Sequence, residues 1–117
     1  MGAMMQKIEV MVFEPGKPGE ARSIDDSLEA MQAVVGGYIE QVGLAFGPLA
    51  QGLPAVLVVI CNEDGRPHGL PSNRWGLLGT FFVVRQKGTE YVSLTEADRS
   101  LIARIEREQE DTAKSRR

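Results

Sequence analysis

The run Ala55-Val56-Leu57-Val58-Val59-Ile60 constrains this chain more than any other feature. Six apolar residues in succession, four of them β-branched, have the length of a strand and leave no polar side for solvent. A strand of that kind has to be covered on both faces. It is expected to be the central strand of a sheet, with Val56 and Val58 in the core. Asn62-Glu63-Asp64-Gly65 ends it, because Asp-Gly suits a tight turn with positive φ. A chain of 117 residues can bury such a strand in one hydrophobic core but is too short for two independent ones. One domain over residues 5–110 is therefore expected.

The other elements follow from periodicity. Ile8, Val10 and Val12 alternate with Glu9 and Met11, as in a strand with one buried face. Two prolines and two glycines between Glu14 and Gly19 make a turn, after which residues 20 to 24 can pair back. Asp25-Asp26-Ser27 supplies capping acceptors for a helix whose Leu28, Met31, Val34 and Val35 recur at three- and four-residue spacing. Gly36-Gly37 ends that helix, with Gly37 expected at positive φ. Tyr38 to Val42 then resumes strand alternation. Gly79 to Val84 reads as another strand, with Phe82 in the core. Thr95 and Asp98 form a capping box for a second helix over 96 to about 110, whose apolar stripe is Leu94, Ala97, Leu101, Ile102 and Ile105. The fold class expected is α+β: a small mixed or antiparallel sheet of about five strands with two helices packed on it.

Composition excludes several classes of function. A net charge of −3 disfavours general nucleic-acid binding, which needs an excess of Lys and Arg on one face. No apolar run approaches the roughly 18 to 20 residues that span a bilayer, so a cytoplasmic location is expected and no membrane partner. One cysteine, Cys61, cannot form an intramolecular disulfide or a multi-thiolate metal site, and its place at the end of an apolar run marks a buried, inert thiol. One histidine, His68, leaves no His-based catalytic or zinc constellation. No catalytic residue, metal or cofactor is therefore expected, and the chain is not read as an enzyme. Met1-Gly2-Ala3-Met4 reads as the scar of a cleaved expression tag, and residues 111–117 as a frayed basic tail.

Binding groups concentrate between residues 62 and 80, where Asn62, Arg66, His68, Ser72, Asn73, Arg74 and Trp75 lie between two core strands. Asn73-Arg74 offers amide and guanidinium groups suited to forked hydrogen bonds with a carboxylate, a phosphate or a base edge. Their ordinary use would be to satisfy carbonyls of an irregular loop, with Arg74 turned towards Glu40 or Asn62. Trp75 reads either as a stacking platform or as core packing.

Five segments taken in order resemble a known family. They are Glu14-Pro15-Gly16-Lys17-Pro18, Gly36-Gly37-Tyr38-Ile39-Glu40, Cys61-Asn62-Glu63-Asp64-Gly65, Leu70-Pro71-Ser72-Asn73-Arg74 and Gly79-Thr80-Phe81-Phe82. Together they are similar to domain of unknown function 3846, an uncharacterised family of phages, plasmids and bacteria. The resemblance implies a small α+β domain carried by mobile elements and their hosts, with no established activity. Its matched polar positions, Tyr38, Glu40, Asn62, Asn73, Arg74 and Thr80, are the candidate ligand-binding residues. The expected function is a binding domain that engages a small polar ligand or a protein partner through residues 62–80. A non-catalytic homo-oligomer, joined by a sheet edge or by the stripe of the C-terminal helix, is the alternative.

Overall fold

Alternation in the first segment becomes strand β1 (Lys7–Phe13), which turns back at Gly16, φ 77°, into β2 (Glu20–Asp25). The computed structural model describes residues 6–42, 56–63 and 79–115. Helix α1 (Leu28–Val35) follows β2, then β3 (Ile39–Val42), β4 (Leu57–Asn62), β5 (Phe81–Lys87), β6 (Glu90–Val92) and the 20-residue helix α2 (Glu96–Ser115). The α+β class is as expected, with six strands in one antiparallel sheet rather than about five.

The sheet order is β2-β1-β5-β4-β3, with β6 added to β5. The central strand is thus β5, which corrects the expectation for the 55–60 run. β4 lies one place off centre, between β5 and β3. Its register sets Ile60 opposite Phe82 and Val58 opposite Val84. β1 meets the first half of β5, with Val12 opposite Phe82, and β6 meets the second half, with Tyr91 opposite Gln86. The link after β6 is sewn to β1 as well: Leu94 N–H donates to Glu9 O at 2.9 Å and Glu9 N–H to Ser93 Oγ at 2.9 Å.

Strand parity divides the apolar residues into two layers. On one face Ile8, Val10, Val12, Val58, Ile60, Phe82 and Val84 pack under Met31 and Val35 of α1. On the other, Met11, Phe13, Leu57, Val59, Cys61, Phe81 and Val83 pack under Leu94, Ile102 and Ile105 of the α2 segment. The Phe13 and Phe81 rings stack there, with centroids 4.9 Å apart. This double cover explains the uninterrupted apolar run of β4, all six of whose residues are buried. Val58 and Phe82 are in the core as expected. Val56 is not: it is 41 % exposed, because it precedes β4 at the end of the face that α1 covers.

Both helix starts are capped as the sequence indicates. Ser27 Oγ accepts Ala30 N–H at 3.1 Å. Thr95 Oγ1 accepts Asp98 N–H at 3.1 Å while Asp98 Oδ2 accepts Thr95 N–H at 2.9 Å, a reciprocal capping box. Asp98 also takes a two-pronged bond from Arg85, Nε to Oδ2 at 2.9 Å and a terminal nitrogen to Oδ1 at 3.1 Å, which fastens α2 to the middle strand. About two turns further along α2, Glu106 Oε2 accepts Gly19 N–H at 2.8 Å and ties the β1–β2 turn to the helix. The helix continues to Ser115, past the expected end near 110.

The stop signal of α1 is displaced by one residue. Gly36, not Gly37, takes the left-handed conformation at φ 80°, and its N–H donates to Gln32 O at 2.8 Å. Gly37 is absent from the positive-φ glycines among the described residues, and its lack of a side chain has another cause, described next.

Candidate functional site

The ends of three neighbouring strands bring three of the candidate residues together. Tyr38 precedes β3, Asn62 closes β4 and Thr80 precedes β5. Ile39 is opposite Asn62 in register, and continuing the β4–β5 register from Ile60 and Phe82 sets Thr80 across from Asn62. Backbone bonds fix this rim: Glu63 N–H donates to Tyr38 O at 3.0 Å, and Gly37 N–H to Gln32 O at 3.1 Å.

The three side chains have different surroundings. Asn62 is 8 % exposed, and its Nδ2 donates to Val35 O at 3.1 Å, so it anchors the last turn of α1. A helix leaves its final carbonyls without intrahelical partners, and a buried amide answers that need. Here the second glycine finds its reason. A Cβ on Gly37 would lie 2.8 Å from Asn62 Nδ2, so the glycine makes room for the amide. Tyr38, by contrast, is 66 % exposed even though its backbone is bonded. Thr80 is partly buried beside Gly79.

Glu40 lies on the opposite sheet face from Asn62 and Thr80. It pairs with Cys61 across β3 and β4, its side chain is exposed, and its carbonyl accepts the Cys61 thiol at 3.6 Å. Burial pushes that thiol up to about 11, helped by the negative charge of Glu40, so it carries very little thiolate at neutral pH. Asn73 and Arg74 lie outside the described residues, as does the proposed turn of Arg74 towards Glu40 or Asn62. Among the described residues no group of three or more carboxylate, thiolate or imidazole side chains is placed to hold a metal ion.

Charges on the β1–β2 turn are spent locally. Lys17 and Arg22 contact Glu14 at 3.2 Å and 3.3 Å, and hydrogen bonds from Lys17 and then Arg22 hold the Glu14 carboxyl below its ordinary value. Arg22 also pairs with Glu20 at 2.6 Å.

A group that sequence reasoning missed lies on the α1 face. Tyr91 Oη donates to Gln41 Oε1 at 2.7 Å, and Gln41 Nε2 donates to Gln86 Oε1 at 3.2 Å, joining β6, β3 and β5. Beside it, between α1 and the β5–β6 turn, is an open cleft of about 410 Å³. Its residues are scattered between positions 6 and 91, and no local pattern in the sequence collects them.

A family model described as Domain of unknown function (DUF3846) matches residues 7–109, from the start of β1 into α2. Comparison with curated proteins and with solved structures finds no match.

Proposed function

This chain belongs to the DUF3846 family, and from that premise we propose that it is a non-catalytic binding domain whose contact surface is the sheet end bearing Tyr38, Asn62 and Thr80. The expected contribution of Asn73 and Arg74 falls on residues outside those described. The domain works in the cytoplasm of bacteria that carry a phage or plasmid, in keeping with the resemblance of its five segments. No helix among the described residues is long and apolar enough to cross a membrane.

The observation that carries the proposal is Tyr38. Its ring is exposed although the backbone on either side is bonded to α1 and to the end of β4. An aromatic side chain mounted on a fixed backbone loses little freedom when it is covered, and such residues dominate binding energy at protein interfaces. An outward ring suits a protein surface better than a small polar ligand, so a protein partner is the favoured occupant. Asn62 acts from beneath, holding α1 against the strand ends and so fixing the platform. Self-association through the α2 stripe has lost most of its motive, since Leu94, Ile102 and Ile105 are buried against the sheet of the same chain.

Chemical-shift mapping against a library of peptides and small polar fragments tests this. Binders should move the resonances of Tyr38, Asn62 and Thr80, and Tyr38→Ala should weaken them by about 2 kcal/mol without lowering the melting temperature. Binders that leave those resonances unmoved, or that bind Tyr38→Ala equally well, would remove the surface from consideration.

A further inference from the structure

The cleft beside α1 is lined by apolar groups from Leu28, Met31, Ile39 and Tyr91, and the charged side chains lining it are Asp26 and Glu90. Leu28 is 54 % exposed on it, although it opens a helix whose Met31 and Val35 are buried. At about 410 Å³ the cleft falls within the range that takes small molecules, roughly 300 to 1,000 Å³.

Two features indicate what kind of molecule fits. First, one wall is set before any ligand arrives. Tyr91 is held by Gln41, and Gln41 by Gln86, across three strands, so its ring is not free to collapse into the space. Second, the charge is of one sign. Among the described residues neither Asp26 nor Glu90 forms an ion pair, whereas neighbouring Asp25 is engaged by Lys7 at 2.9 Å. At the start of α1, Ser27 Oγ accepts Ala30 N–H and Glu29 adds a further negative charge in the first turn. Two unpaired carboxylates would repel an anion, and an aromatic ring beside them favours a cation.

We propose that this cleft binds a small organic cation, with its ammonium or guanidinium group held by Asp26 and Glu90 and its apolar body against Leu28, Met31, Ile39 and Tyr91. This inference does not depend on the Tyr38 surface. A neutral molecule of the same shape would keep the apolar contacts and lose the charge, and an anion would lose both preferences.

Phenylethylammonium, 2-phenylethanol and phenylacetate are matched probes that separate these cases. Titrated into the full chain and followed by NMR, phenylethylammonium should shift the amides of Thr89, Glu90 and Tyr91 saturably. The alcohol should bind about tenfold more weakly, and Asp26→Asn/Glu90→Gln should lose about tenfold for the ammonium, the order expected of two solvent-screened charges. Both carboxylates are exposed, so the double variant should keep the wild-type melting temperature. Tyr38→Ala should bind the ammonium as wild type does, which keeps this test separate from that of the other surface. Absence of saturable shifts, equal affinity for the alcohol, preference for phenylacetate, or undiminished binding by a folded double variant would each overturn the proposal.

Discussion

Replacing Gly37 with alanine tests why two glycines follow α1. Gly37 does not need a left-handed backbone, so alanine would by itself stabilise the fold by about 0.4–1 kcal/mol through the unfolded chain. Its Cβ would, however, lie 2.8 Å from Asn62 Nδ2. The amide is the end of a side chain and can yield, but yielding breaks its 3.1 Å bond to Val35 O in a buried place. Leaving such groups unsatisfied costs about 1–3 kcal/mol. The net expectation is a loss of about 1–2 kcal/mol, or a fall in melting temperature of about 4–8 °C for a domain of this size. Urea unfolding of a double-mutant cycle isolates the cause: in an Asn62→Ala background Gly37→Ala should be neutral or stabilising. Gly36→Ala should cost about 1 kcal/mol in either background, because its penalty comes from φ 80° and not from Asn62. A stabilising Gly37→Ala in the wild-type chain, or a loss that persists without Asn62, would refute the steric account.

Further outcomes are expected elsewhere in the fold. The hydrogen bonds from Arg85, assisted by Thr95, hold the Asp98 carboxyl below its usual value despite burial. A depressed folded value gives stability that is complete above the unfolded pKa near 4 and is lost as pH falls through the folded one. The stability gap between wild type and Asp98→Asn should therefore be present at pH 7 and close below about pH 4, and urea unfolding that shows a constant gap would contradict this. Val58 is 7 % exposed, opposite Val84 and in the core under α1, so Val58→Asp should leave the chain unfolded by circular dichroism; a folded variant would show that the site admits water. Cys61 should react with iodoacetamide far more slowly in the native chain than in urea, and equal rates would show that the thiol is accessible.

The legible parts of the fold were those written in neighbouring residues. The Ser27 cap and the Thr95–Asp98 box became the structures their local chemistry indicates, and alternation at Ile8, Val10 and Val12 did mark β1, although Met11 and Phe13 bury its second face as well, where one buried face was expected. What the sequence could not display was pairing at a distance. β5 runs on through Arg85, Gln86 and Lys87 because β4 and β6 supply partners there, and β6 itself is only Glu90-Tyr91-Val92, too short and polar to announce itself. Gly36 and Gly37 are the same residue type in adjacent positions, one shaped by backbone angle and the other by Asn62, which is 25 positions away and visible only once the sheet is assembled. Of the candidate site, Tyr38, Asn62 and Thr80 stand at one end of the sheet, Glu40 lies on the opposite face from Asn62, and Asn73 and Arg74 lie outside the described residues. Asp26 was legible only as a helix-start residue, and Tyr91 had no pattern around it, so the α1 cleft came from the assembled fold alone.

The central position of β5 has a consequence for how the chain is born. β1 is complete early in synthesis, yet its inner partner arrives about 70 residues later, roughly 4 to 14 s at the usual pace of a ribosome. A hairpin closes in microseconds, so β1, β2 and α1 can associate long before β5 emerges. Throughout that wait Met11 and Phe13 have no covering layer, and the edge of β1 that will meet Phe81 to Val83 offers its backbone to any passing strand. The nascent chain should therefore be most vulnerable to aggregation, and most in need of a chaperone, between the completion of α1 and the release of β5. Binding of a chaperone to stalled chains of graded length should rise over that interval and fall once α2 can dock.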